Sequence, residues 1–358
     1  MSYFLLPKIN NIINVNPILN DKYISKQYVS NSLYNYYNEI YNQIINYINS
    51  QDLSSNTFEE LIKIVNPYEF IFSKVPSSKF SVSKLKPLTN LFYEFLEIST
   101  SLNIFDEYKS KRIDALYFTP NSYDTIECFE MFRENYSDKI MHFNEINNEN
   151  IETIGYDKFN FLFFETKNEN TDNYNISLIK TLMIIYRNQE EDGTSIIKIN
   201  TLFNKVTADF LYILSSLFDK TYILKPNASN ITTYDKYIIC KNFIINENKL
   251  NLYTFSYFKL FNFLNTIEEK KVVSLLDFDI PYYFLTKIDD INIIIGQQQI
   301  ESLDLIINIL KNKNKEEKIE TIKKTSIQKS VSWCEKYKIP CNKFSEKTNI
   351  FLPITSPN

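Results

Sequence analysis

TSIIKINTLFNKVTADFLYILSSLFDKTYILKPNASNITTYDKYIICKNF, residues 194–243, is the stretch that decides the fold. It opens on an apolar run at 195–199 with one lysine, Lys198, embedded in it. A helical pattern at 205–218 follows, then a second apolar run at 221–225 that ends in Lys225-Pro226. A polar loop leads to a tyrosine- and isoleucine-rich run at 236–241. Short apolar runs separated by helices of this length predict strands of one sheet, with the helices covering it.

The same texture continues toward the N-terminus. Strands are expected at 114–118, 139–142 and 159–165, with helices at 125–135 and 174–187 between and after them. The implied class is α/β, with a largely parallel sheet covered on both faces and its ligands at the carboxyl ends of the strands. Residues 1–106 are expected to form a helical region, irregular over 1–20 and helical at 21–48, 57–65 and 88–105. The core spans 107–245. Residues 246–358 form a mixed and helical extension, with helices expected at 297–325 and 327–338, and no internal repeat is evident.

Composition bounds the function. The 358 residues, 44% apolar and 15% aromatic, suffice for a substantial buried core. The surplus of Asn, Ile, Lys, Tyr and Phe is what AT-rich codons supply. A formal net charge of -4 leaves no bulk positive field to recruit nucleic acid, so any RNA contact must come from a local patch. Four scattered cysteines (Cys128, Cys240, Cys334, Cys341) point to a reducing compartment, and a single histidine, His142, argues against zinc sites of the usual spacing. No run of eighteen uncharged apolar residues and no signal-peptide pattern occurs, which predicts an intracellular protein, no membrane partner and no metal.

The stretch IDALYFTPNSYDTIE, residues 113–127, reads as a strand, a tight turn and a helix start, the place where a nucleotide-using α/β enzyme carries a glycine-rich loop. The chain's three glycines, Gly155, Gly193 and Gly296, all lie elsewhere.

In the order strand lysine, helix, strand ending in Lys-Pro, polar loop and last strand, residues 194–243 resemble the second half of the FtsJ-like RNA methyltransferases of large DNA viruses. Those enzymes act on the 2'-O position of mRNA caps. The resemblance extends with gaps from about Leu88 to Phe243, and more weakly to QQQIESLDLIINIL near the C-terminus. The segment IIKINTLF and the helix after it are also similar to the small subunit of poxvirus mRNA capping enzyme, a methyltransferase-shaped protein without catalytic activity.

The resemblance implies a Rossmann-like methyltransferase fold with helical extensions at both ends. It places a degenerate cofactor loop on Thr119, Pro120, Asn121, Ser122 and Tyr123, where active members have Ala-Pro-Gly-Gly-Phe. A degenerate Lys-Asp-Lys-Glu tetrad falls on Glu94, Glu165, Lys198 and Asp235, with Lys198 as its central lysine. S-adenosylmethionine needs close backbone approach at the loop, which glycine permits and side chains obstruct. The central lysine must lose its proton to act as a base, and a carboxylate at the neighbouring position favours the ammonium instead. Lys84 or Lys86 could supply a missing cation if Glu94 does not hold that position.

Three functions stay open, the weakest being an RNA-binding module that keeps cap or RNA contacts and does no chemistry. One is a catalytically inactive regulatory or scaffold subunit of viral mRNA capping or RNA processing that stimulates a partner enzyme, with no cofactor. The alternative is an active S-adenosylmethionine-dependent cap 2'-O-methyltransferase. A partner capping-enzyme or RNA-processing subunit, docked on the tyrosine-rich N-terminal helices, and capped RNA are the expected associates, in host cytoplasm, viral factory or virion.

Each feature also has a plain reading. Lys198 would be a strand-end lysine reaching solvent, Asp235 a loop acid, Glu94 a solvated helix residue and His142 a core or edge residue. The run 311–329, with seven lysines against three glutamates, would be a wet helix face, or a phosphate-binding patch through residues such as Lys323 and Lys324. Trp333 and the N-terminal tyrosines would pack in the core, or stack on a cap or bases.

Overall fold

The computed structural model describes residues 3–11, 13–20, 28–51, 53–54, 56–73, 81–120, 122–166, 171–245, 247–266, 271–312 and 315–342. Two short strands, β1 (Tyr3–Leu5) and β2 (Ile18–Asn20), precede helices α1 (Asn31–Ser50), α2 (Thr57–Val65) and α3 (Leu91–Ser101). The central run is β3 (Asp114–Phe118), α4 (Ser122–Arg133), β4 (Lys139–Phe143), α5 (Asn148–Ile154), β5 (Phe159–Glu165), α6 (Thr171–Asn188), β6 (Gln189–Ile199), α7 (Lys205–Leu217), β7 (Phe218–Leu224) and β8 (Lys236–Phe243). The chain continues through α8 (Glu247–Thr266), β9 (Lys271–Ser274), α9 (Tyr282–Lys311) and α10 (Lys315–Lys336).

Among the described residues the main sheet has seven strands in the order β1-β7-β8-β6-β5-β3-β4. Strands β4, β3, β5 and β6 run parallel, β8 runs antiparallel to both β6 and β7, and β1 caps the β7 edge in antiparallel fashion. The class is therefore mixed α/β, a mostly parallel central sheet flanked by helices, compatible with a Rossmann-like arrangement. Because successive side chains point to opposite faces, each strand serves two cores. Leu116, Phe118, Leu162, Phe164, Ile197 and Ile199 pack with the buried residues of α6, α7 and α8 on one face. Ala115, Tyr117, Phe161, Phe163, Ile196 and Tyr237 meet α3, α4 and α10 on the other. Burial on both faces is the reason the strands read as continuous apolar runs.

Several sequence expectations shift. The helix expected at 21–48 starts only at Asn31: Ser30 sits in the left-handed region at φ 55, and the N–H groups of Tyr28 and Val29 donate to the Phe203 carbonyl at 2.7 and 3.0 Å. Residues 21–27 lie outside the described residues. The irregular reading of 1–20 misses β1 and β2, which need long-range partners, β7 and β9, to exist at all. The helix expected at 297–325 begins at Tyr282, behind Pro281, and stops at Lys311, where Asn312 is extended; α10 then runs through the second expected helix. The segment after Phe243, read as mixed, holds α8 and β9. Thus the three sequence regions interleave, with β1 on the main sheet, β2 on β9 and α1 against α9. No helix among the described residues is long and apolar enough to cross a membrane.

Strand β6 begins earlier than the apolar run suggests, through a turn in which Asp192 has φ 58 and Gly193 follows. A Cβ on Gly193 would lie 2.9 Å from the carbonyl oxygens of both Asn160 and Glu190 and would collide with the Gln189 amide. Gly193→Ala is expected to destabilise the fold by about 1–3 kcal/mol, because backbone rather than a flexible side-chain end must yield. Urea denaturation should show a lower midpoint with an unchanged slope.

Candidate functional site

Strand register builds the site. Glu165 on β5 is paired with Lys198 on β6, and Lys198 with Tyr237 on β8. Paired residues project to the same face, so the three form a row at the carboxyl ends of the parallel strands. That face is the one covered by α3, and α3 brings Glu94 down onto the row. The Lys198 Nζ lies 3.3 Å from Glu165 Oε1 and 3.7 Å from Glu94 Oε2. The Tyr237 hydroxyl donates to Glu94 Oε2, and Thr119 Oγ1, just past β3, donates to Glu165 Oε2 at 2.6 Å. Side-chain exposures of 16% for Lys198, 7% for Glu94 and 18% for Glu165 make this a nearly dry ionic cluster.

Helix α3 is held in place from two sides. The Asp124 carboxylate on α4 accepts from the backbone N–H groups of Leu88 and Thr89 at 2.9 and 2.6 Å, ahead of the first turn. Asn90 Nδ2 donates to Glu94 Oε1 at 3.2 Å and to the Ala228 carbonyl. Glu94 is therefore not a solvated helix residue: all positions from Leu91 to Ser99 are buried. A partial signal was present in the sequence, since six of the eight residues of LFYEFLEI are apolar or aromatic, more than one buried stripe of a surface helix needs.

Asp235 precedes β8 and reaches the cluster through charge; the ion pairs of Lys198 are with Glu94 and Glu165. Its carbonyl accepts from Lys225 Nζ at 3.0 Å, and its carboxylate accepts from Thr233 Oγ1 at 3.3 Å. Lys225 also donates to the Thr233 carbonyl at 2.8 Å, so this lysine of the Lys-Pro pair clamps the loop that carries Asp235.

Burial pulls the Lys198 ammonium toward neutrality, but the carboxylates of Glu94, Glu165 and Asp235 outweigh it and raise its pKa above the ordinary lysine value. Lys225 goes the other way, lowered by burial to about 8 against the opposing pull of Asp235 and Glu94. Lys236, buried and donating to the Tyr234 carbonyl at 3.1 Å, is lowered to about 7 by burial and by Lys225. Chemically, Lys198 can donate hydrogen bonds and hold negative charge, and it is poorly suited to accept a proton. The charges that act most strongly on it are the carboxylates of Glu94, Glu165 and Asp235.

Of the five loop positions, Thr119 and Ser122 are buried, Pro120 is exposed, Tyr123 is 71% exposed and lies beside the His142 ring on the edge strand β4, and Asn121 lies outside the described residues. None of the four described positions adopts a positive φ. Next to the loop is a cleft of about 190 Å³ lined by Phe118, Asn144, Glu145, Glu165, Asn173 and Lys180. This is smaller than the roughly 300–1,000 Å³ of ordinary small-molecule pockets.

Sequence reading missed Tyr237, Asn90 and Lys225 as members of the cluster. Only Lys225, in its Lys-Pro pair, carried a local signal. The basic run is less available than its composition implies, because Lys323 is buried and paired with Glu320 at 3.3 Å, while Lys324 and Lys329 are exposed. Trp333 is a core residue whose indole N–H donates to Glu97 at 3.2 Å. Tyr34 and Tyr37 pack against Phe203 and Tyr234, leaving Tyr36 and Tyr41 of α1 as the exposed tyrosines of that helix.

Removing Lys198 with Lys198→Met would leave Glu94 and Glu165 buried together without a cation, and a loss of about 3–5 kcal/mol is expected. The pH dependence has a definite sign. A folded-state pKa above the unfolded value contributes stability that is complete below about pH 10.4 and is lost as pH rises through the folded value. Wild-type stability should therefore fall above that pH more steeply than that of Lys198→Met in denaturant titrations. In Glu94→Gln, NMR titration of Lys198 should show a lower pKa than in wild type. No protein-family model matches this chain, and no curated protein sequence does so.

Proposed function

We propose that the chain is a methyltransferase-like component of viral mRNA capping or RNA processing that does not itself transfer methyl groups, and acts as a regulatory or scaffold subunit for a partner enzyme. The observation that carries this reading is the enclosure of Lys198 by Glu94 and Glu165. A base for a ribose hydroxyl must be neutral before it can act, and two carboxylates at this range hold it charged. The methyltransferase part of the proposal is supported by the order of pieces: strand lysine, helix, Lys-Pro strand end, polar loop and last strand fall on β6, α7, β7, residues 225–235 and β8. These strands are neighbours in one sheet.

The loop between β3 and α4 suits S-adenosylmethionine badly. Side chains stand where the close approach of a glycine backbone would be needed, and the adjoining cleft is small for the cofactor's nucleoside and amino-acid parts together. The helical surface around the sheet is then the working surface, with Tyr36 and Tyr41 of α1 as its candidate contacts for a partner subunit.

Calorimetry with S-adenosylmethionine at millimolar concentration, and a labelled-methyl assay on capped RNA, test the proposal directly. The expected result is no heat of binding and no incorporation, together with co-purification of a capping or RNA-processing subunit from infected cells. Saturable cofactor binding with methyl transfer that disappears in Lys198→Ala would establish the active cap 2'-O-methyltransferase in its place.

A further inference from the structure

The two ends of the main sheet are finished differently. At the β7 end the chain adds a strand of its own, β1, antiparallel along Tyr222 to Leu224. At the other end β4 pairs with β3 alone, in unbroken register from Lys139 opposite Asp114 to Phe143 opposite Phe118. The Lys139 N–H donates to the Ile113 carbonyl at 2.9 Å, and the Phe143 carbonyl accepts from the Thr119 N–H at 3.0 Å, so the peptide groups of these two residues face β3. Peptide groups alternate sides along a strand, which turns the N–H and C=O groups of Ile140 and His142 outward along the open edge. Lys139 and His142 are exposed and the three other residues of β4 half-buried, whereas β3, β5 and β8 are mostly buried. Strand β4 has no proline and no bulge; of the devices that blunt an edge it carries only Lys139, at its start.

The helices joined to β4 give this edge a charge. The exposed Tyr123 at the start of α4 sets its ring 6.3 Å from that of His142, which fixes the side of α4 that looks along β4. Glu127, Glu130 and, just past the helix, Glu134 follow Tyr123 at four, seven and eleven residues, continue the same stripe and are exposed. The one cation of α4, Arg133, is buried in its pair with Asp138 at 2.7 Å. Beyond the other end of β4, α5 adds exposed Glu149 and Glu152 and no cation.

We infer that the β4 edge receives an extended lysine- or arginine-rich segment of a partner protein as an added strand. Ile140 and His142 supply the backbone ladder. Alternate side chains of the guest fall on the face that holds Tyr123, His142 and the α4 glutamates, where a cation meets aromatic rings and carboxylates. The same glutamates repel a phosphate backbone, and two copies paired edge to edge would set like charges against one another. The edge lies three strands from Lys198 on β6, so its occupancy does not depend on whether the chain transfers methyl groups.

The test titrates the full chain with a short peptide alternating Lys and Val, and with its Glu–Val counterpart, by fluorescence anisotropy and hydrogen–deuterium exchange. The expected result is saturable, salt-weakened binding of the Lys–Val peptide alone, with exchange slowed about tenfold or more at the Ile140 and His142 amides and unchanged at Lys139 and Met141. Reversing two exposed charges together, Glu127→Lys with Glu130→Lys, should weaken binding about tenfold. His142→Pro removes an outward N–H and no bond to β3, so it should fold and bind about tenfold more weakly or worse. If His142→Pro does not fold, the charge-reversed chain decides in its place. No saturable binding at millimolar peptide, equal binding of the Glu–Val peptide or by the charge-reversed chain, protection at another strand, or pairing of two chains through β4 without peptide would overturn the inference.

Discussion

The desolvated row Glu165–Lys198–Tyr237, closed from above by Glu94, is the constraint around which the carboxyl end of the sheet is arranged. Burying one ammonium with two carboxylates is costly unless each charge keeps a partner and the remaining lone pairs are occupied. The protein meets that condition with Thr119 on Glu165, and Tyr237 and Asn90 on Glu94. Each of these partners comes from a different element, so β3, β5, β6, β8 and α3 are all fixed relative to one another by a few polar contacts. The cluster also explains why a helix as apolar as α3 carries a glutamate at its centre.

The proposed function rests on the sign of that cluster. An amine poised for proton abstraction needs neighbouring positive charge or a dry apolar wall, and Lys225 and Lys236 show how burial together with a neighbouring lysine lowers a lysine in this same region. Lys198 has the opposite surroundings. Its positive charge is an architectural element, binding strands to a helix, and this is the physical basis of the proposed scaffold role.

Much of the central region was legible in the chain. The strands at Asp114–Phe118 and Phe159–Glu165 and the helix at Thr57–Val65 coincide with the runs that mark them, because two-faced burial makes a strand continuously apolar and amphipathic periodicity marks a helix. Less was legible where an element exists only through a distant partner. The strand Tyr3–Leu5 is three residues long and owes its form to β7, more than two hundred residues away. The late start of α1 depends on Phe203, whose carbonyl captures the two N–H groups that would otherwise enter the helix. In the site, Glu94, Glu165, Lys198 and Asp235 were picked out through the family resemblance, while Tyr237 and Asn90 are ordinary residues until the register and the helix packing bring them to Glu94.

The alternation of strands and helices, the glycine-free turn after β3 and the lysine within an apolar strand are written in the chain, since all of these are local matters of periodicity and backbone freedom. Which charges surround that lysine is a product of folding. Strand register, settled by side-chain alternation against two cores, put Glu165 beside it, and the packing of a wholly buried helix put Glu94 above it. Ionisation depends on such through-space neighbours, and Glu165 and Glu94, distant from Lys198 in the chain, become adjacent to it only when the sheet and α3 assemble.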